Sequence, residues 1–181
     1  MEEARAEHPF SQRIGSIPCC DHDVPKPEEL GVAPHCIKLR FLGEPASQGS
    51  KVQTKWGAMR EVSKKLQPWR ASIQYACEQQ YKGDPITEPV ALDVTFVFPR
   101  PKGHFSTAKG KEDQLKASAP VHYTKTPDLD KLLRGLLDPL TVKCGGNVLV
   151  DDSCVVGLNA RKRYAESSES SGALVTITIV R

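Results

Sequence analysis

Apolar positions along the chain follow two periods, and their order predicts a layered domain. Residues 35–42 read as a first strand. In residues 90–98, Val90, Leu92, Val94, Phe96 and Phe98 alternate with Ala91, Asp93, Thr95 and Val97, the two-residue period of a half-buried strand. Between these runs, residues 67–81 set Trp69, Ile73, Ala76, Cys77 and Tyr81 at helical intervals. A second helix is expected over 128–138, where Leu129, Leu132, Leu133, Leu136 and Leu137 recur at i, i+3, i+4, i+7 and i+8. Pro127 marks its start, Thr126 is a candidate cap and Pro139 stops it. Its polar face is then fixed, with Asp130, Arg134 and Asp138 in one row and Asp128, Lys131 and Gly135 beyond it. Residues 158–165 and 173–180 read as final strands around a Ser-rich turn at 166–172. The order β-α-β-α-β-β fits an α+β layer, two helices on a mixed, mostly antiparallel sheet.

Charge divides the chain into two regions. Of 25 Lys and Arg and 22 Asp and Glu, the first 34 residues hold three and seven, leaving 22 and 15 for the rest. Residues 1–34 therefore carry a net −4 and residues 35–181 a net +7. The first region lacks apolar periodicity and is expected to be a disordered acidic tail. The second is a single basic domain, the balance of a protein that meets phosphate backbones.

Two stretches concentrate that charge. The loop at 99–125 contains Arg100, Lys102, Lys116 and Lys125, with His104, Phe105, His122 and Tyr123 among them. Cations suit backbone phosphates and rings suit unstacked bases, so a nucleic-acid contact is expected there. The loop at 51–65, with Lys51, Trp56 and Arg60, has the same character. The six cysteines form no Cys-x-x-Cys pair, and Cys19, Cys20 and His22 would need a fourth ligand from elsewhere to bind zinc. No apolar run approaches the length of a membrane span and the N-terminus is acidic, so a cytoplasmic protein with free thiols is expected.

Against this basic background, five acids fall within 25 positions: Asp128, Asp130, Asp138, Asp151 and Asp152. Clustered carboxylates repel one another unless a cation lies between them, and hard oxygen donors suit Mg²⁺, with Mn²⁺ as a substitute. Metal-assisted phosphodiester cleavage is the leading reading. Asp128 and Asp130 at a helix start also gain from the helix dipole, which explains one acid or two. It does not explain Asp151 and Asp152, which interrupt the β-rich run at 147–158. Strand alternation there would aim only one of the pair at the helix acids, leaving the other to a turn or an outer layer of the site.

The strings Thr126-Pro127-Asp128-Leu129-Asp130-Lys131-Leu132-Leu133-Arg134, Leu137-Asp138-Pro139-Leu140 and Val150-Asp151-Asp152-Ser153-Cys154-Val155-Val156 resemble the RusA family of Holliday junction resolvases. Gly43 to Lys51 and Val94 to Lys102 resemble the family's first strand with its basic loop and its central strand. The resemblance covers about residues 36–181. It implies a small, dimeric, Mg²⁺-dependent endonuclease of phage or prophage type that acts on branched DNA. It carries the catalytic, metal-binding acids onto Asp128, Asp130 and Asp152, with Asp151 and Asp138 as outer or further ligands. The family commonly has Asn where this chain has Lys131, and a catalytic Lys where it has Arg134. Arg keeps the charge and can clamp phosphate through two donors, but it cannot transfer a proton. Lys51, Arg60, Arg100, Lys102, His104, Lys125 and Lys131 are the candidate DNA contacts. A nuclease for other branched DNA, or a catalytically weak junction-binding protein, are the alternatives.

Overall fold

The computed structural model describes residues 36–49, 56, 63–166 and 169–180, and the backbone alone of 51–53 and 59–61. The acidic region 1–34, the Cys19, Cys20 and His22 group, and the side chains of Lys51 and Arg60 lie outside the described residues. Among the described residues, six strands and two α-helices follow one another as β1 (Cys36–Leu42), β2 (Lys51–Gln53), β3 (Met59–Glu61), α1 (Leu66–Gln80), β4 (Val90–Phe98), α2 (Leu129–Leu137), β5 (Val155–Tyr164) and β6 (Gly172–Ile179). The predicted α+β order holds, with one addition. The basic loop expected at 51–65 contains the short antiparallel hairpin β2–β3, too brief for a periodic pattern to announce it.

The main sheet runs β1-β6-β4-β5. The β1/β6 and β6/β4 pairs are antiparallel, and β4/β5 is parallel. A parallel pair needs a crossover connection, and α2 supplies it. Buried residues of the helices and the inner sheet face form one core, including Phe41, Ile73, Phe96, Leu132, Leu136, Leu149 and Ile177. In α1, Leu66, Trp69, Ile73 and Cys77 face inward. Desolvation first, then Glu78, pushes the Cys77 thiol up to about 12, so it behaves as an inert apolar filler.

Alternation in β4 fails in its second half. Thr95 and Val97, expected on the open face, are 7% and 1% exposed. Arg161 of β5 donates to Thr95 Oγ1 at 2.9 Å, and Val97 lies beside the turn carrying Glu169 and Ser170. A bidentate ion pair from Arg163 to Glu169, at 2.5 and 2.7 Å, pins that turn.

Three local expectations are corrected. Asp128, not Thr126, takes the N-cap position of α2, after a cis Thr126–Pro127 bond, and its side chain makes no capping hydrogen bond. Gly135 is buried, not on the polar face, because the 46–48 segment docks there: Gln48 N–H donates to the Lys131 carbonyl at 2.9 Å. A Cβ on Gly135 would sit 2.5 Å from the Ala46 carbonyl oxygen, so only glycine allows this approach. Finally, Asp151 and Asp152 are not inside a strand. They enter a 3₁₀ turn, Asp152–Cys154, and β5 begins only at Val155, so strand alternation does not apply to them.

Candidate active site

Helix α2 runs back across the sheet, from the C-terminal end of β4 and β5 to their N-terminal end. At its start, Lys162 of β5 donates to the carbonyls of Lys125 and Pro127, both at 2.8 Å. At its finish, Thr141 bridges to Leu149, which bridges in turn to Ile86 just ahead of β4. The two groups of acids are thereby assigned to opposite ends of the domain.

Asp128 and Asp130 occupy the first turn of α2 and are exposed. The Asp128 carboxylate accepts from Lys131 Nζ at 2.5 Å. That hydrogen bond, then the charges of Lys131 and of Lys162, hold it below the usual carboxylate range, while partial desolvation opposes the shift. Among the described residues Asp130 has no hydrogen-bond partner, and neither does Arg134, one turn further on. Nothing ties Arg134 to Asp130 or Asp138. At the far end of α2, Asp138 forms an ion pair with Arg70 of α1, which also donates to Gln48 at 2.9 Å.

An aromatic and basic surround lies at the Asp128 end. Tyr123 stacks on Phe98 with ring centroids 4.2 Å apart and meets Tyr164 edge-on at 5.0 Å. His104 meets Tyr164 edge-on at 5.1 Å, and the Arg100 guanidinium lies over the same ring at 4.7 Å. Desolvation first, then Arg100, Lys125 and Lys116, lowers the His104 pKa. Lys102 and Lys125 are exposed nearby in the chain. A cleft of about 310 Å³ opens beside this cluster, lined by Glu44, Ser47, Lys65, Tyr123 and Thr126 among others. Trp56, in the hairpin loop, is 94% exposed.

Lys162 escaped the sequence reading. It lies on the inward-facing row of β5 with Leu158, Ala160 and Tyr164, and a lysine in an otherwise apolar row was the available signal.

At the other end, Asp151 accepts from Ser153 N–H at 3.0 Å and caps the 3₁₀ turn. That backbone hydrogen bond is the first cause of its lowered pKa. One of the pair does serve a turn, as expected, through capping geometry and not strand alternation. Asp152 is exposed. From Val155 to Lys162 β5 spans seven residue steps, about 23 Å at 3.3 Å each. Within one chain Asp152 therefore stands on the order of 20 Å from Asp128, far beyond the reach of one cation's ligands. Consistently, no three Asp, Glu, His or Cys side chains among the described residues are grouped to hold a metal ion. The donor chemistry suits Mg²⁺, yet a single chain brings together only Asp128 and Asp130.

A mixed sheet with a βαβ crossover, whose helix starts with two carboxylates in a basic, aromatic surround, has the layout of a nucleic-acid-cleaving enzyme. The family model described as Endodeoxyribonuclease RusA matches residues 43–178. Uncharacterized protein YqaN of Bacillus subtilis (strain 168) is 32% identical over 136 residues, 72% of this chain and 89% of its own length. The chain belongs to the RusA family of endodeoxyribonucleases, hydrolases of the DNA backbone. No described helix is long and apolar enough to cross a membrane.

Proposed function

We propose that this protein is a divalent-metal-dependent endonuclease that resolves four-way DNA junctions, serving recombination and repair as a cytoplasmic homodimer, of phage or prophage type. The observation that carries the reading is the start of α2, where Asp128 and Asp130 stand exposed among Lys131, Arg134, Lys162 and the Tyr123–Tyr164 ring cluster. In this reading Asp128 and Asp130 of one chain would hold the metal together with Asp152 of the second chain of the homodimer, since within one chain Asp152 is out of reach. When bound, Mg²⁺ or Mn²⁺ supplies a water activated for attack and neutralises charge on the scissile phosphate.

The chain's own residues do the rest. Arg134, with its guanidinium free, donates to the non-bridging phosphate oxygens and stabilises the charge that builds as the 3′-oxygen leaves. It holds its proton throughout. Lys162 fixes the 125–127 segment and so sets the start of α2 against the sheet. Arg100, Lys102 and Lys125 take flanking phosphates, and Tyr123, His104 and Trp56 offer faces to bases unstacked at a junction.

A second reading has one observation in its favour. The Lys131 ammonium occupies the Asp128 carboxylate at 2.5 Å, as a competitor of a cation would. A junction-binding protein with weak catalysis would look like this. Cleavage of four-way, flap and linear duplex substrates in Mg²⁺, with binding measured in Ca²⁺, separates the readings. Preferential cutting of the four-way junction is expected. Tight binding with no cutting at any Mg²⁺ or Mn²⁺ concentration supports the second reading.

A further inference from the structure

The cleft beside Tyr123 holds a carboxylate that neither the packing nor the metal site uses. Its walls include Pro45, Pro127 and the Phe98–Tyr123 stack, and Glu44 and Lys65 stand in it side by side. Lys65 Nζ donates to both Glu44 oxygens, at 2.8 and 2.9 Å. Both side chains are more than half exposed, and an ion pair in that setting contributes little to stability. One ammonium also fills only part of a carboxylate, which has about four acceptor positions. Desolvation first, then Tyr164 and Glu44, raises the Tyr123 pKa while Lys65 opposes the shift, which places both charges of the pair within reach of that ring.

A negative group is out of place on a surface that meets phosphates, unless it reads another part of the DNA. Carboxylates do so by accepting from the amino groups of bases. The cleft reaches Thr126, two residues before Asp128 and so within about 8 Å of it along the backbone. Stacked nucleotides follow one another at about 3.4 Å per strand. Whatever fills the cleft therefore lies within about two nucleotides of a phosphate held at the acids. Its volume of about 310 Å³ is at the small end of ligand pockets and suits a single planar base.

We propose that this cleft is a base-recognition site: it takes one unpaired base next to the scissile phosphate, and Glu44 with Lys65 selects guanine. Guanine alone presents two donors side by side, N1–H and N2–H, with the O6 acceptor next to them. The two donors match the Glu44 carboxylate, and O6 matches the Lys65 ammonium. Cytosine and adenine offer a carboxylate one amino group on this edge without a second donor beside it, and thymine has no amino group. Bases at the crossover of a four-way junction leave the stack at least cost, so one is available to the cleft. This inference rests on the proposed function, since it takes the start of α2 as the place of cutting.

Cut sites are mapped in Mg²⁺ on a four-way junction with a homologous core, through which the crossover migrates so that the enzyme chooses its sequence. The parent is expected to cut within about two nucleotides of guanine roughly 10- to 100-fold faster than near thymine, the range of one bidentate contact. Glu44→Gln should flatten that ratio and Lys65→Gln should reduce it, both at an unchanged melting temperature. Inosine in place of the guanine lacks the N2 amino group and should remove most of the preference, whereas 7-deazaguanine keeps the whole reading edge and should retain it. Even cutting across sequences, preference for another base, a preference that survives Glu44→Gln, or its loss with 7-deazaguanine would each overturn the proposal. Binding gives a readout apart from cutting. In Ca²⁺, a junction with one unpaired guanine at the crossover should bind more tightly than one with an unpaired thymine, and equal affinity overturns the cleft as well. The functional reading fails separately, when four-way junctions are neither cut nor bound in preference to linear duplex; the guanine–thymine comparison in Ca²⁺ still decides the cleft.

Discussion

Helix α2 begins and ends with aspartate, and its two ends behave differently. At the start, the Asp128 side chain is 52% exposed and Asp130 has no ion-pair partner among the described residues; at the end, Asp138 is 31% exposed and bound to Arg70 of the neighbouring helix. The residue type and the helix are the same. What differs is the neighbour. One end meets a second helix and supports the packing of α1 on α2. The other opens onto a basic surface, where Asp128 meets Lys131 of its own helix.

Substitutions at the two ends are expected to separate activity from stability. The largest effect is at the start. Asp130→Asn should remove Mg²⁺-dependent cleavage while leaving the melting temperature unchanged and junction binding in Ca²⁺ equal or tighter, since a charge that repels DNA is lost. Retained cleavage would exclude Asp130 as a ligand. Arg134→Ala should slow cleavage by roughly 10² to 10³, the usual effect of deleting one electrostatic contact to a transition state. Arg134→Lys should keep most of the rate, and Arg134→Gln should resemble Ala. Equal rates for Ala and parent would dismiss the clamp.

At the far end the pattern reverses. Asp138→Asn leaves the Arg70 guanidinium partly buried without its counter-charge and should lower stability by about 1–3 kcal/mol. Cleavage per folded molecule should hold. Denaturant unfolding together with single-turnover rates tests this, and a rate loss without a stability loss would move Asp138 into the site.

The smallest effect concerns Lys131. With Lys131→Asn the Asp128 carboxyl should titrate closer to its ordinary 3.8, because the hydrogen bond that lowers it is gone. Asp128 has a lower pKa folded than unfolded. Its contribution to stability is thus present above the unfolded value and fades as pH falls through the folded one, a window well below neutrality. No change in melting temperature at pH 7 is expected, while Mn²⁺ affinity should rise as a competitor for the carboxylate is removed. NMR titration and calorimetry read the two effects, and an unchanged Asp128 pKa would show that the ion pair does not persist in solution.

Much of this protein was legible in its sequence because the relevant forces are local. The leucine spacing of 129–137 dictates an amphipathic helix, and the alternation of 90–98 a strand, since side-chain direction follows backbone period within a few residues. The acids and the basic loop were equally visible as residue types. Proximity across the fold was not visible. The burial of Gly135 follows from a segment docking about 90 positions away in the chain. The pairing of Asp138 with Arg70 needs α1 beside α2. The parallel placement of β5 on β4 puts Lys162 beside Asp128 and carries Asp152 to the opposite end. A short-range pattern encodes which way a side chain points; which distant side chain it meets is decided by how the layers pack, because only the closed core fixes those separations.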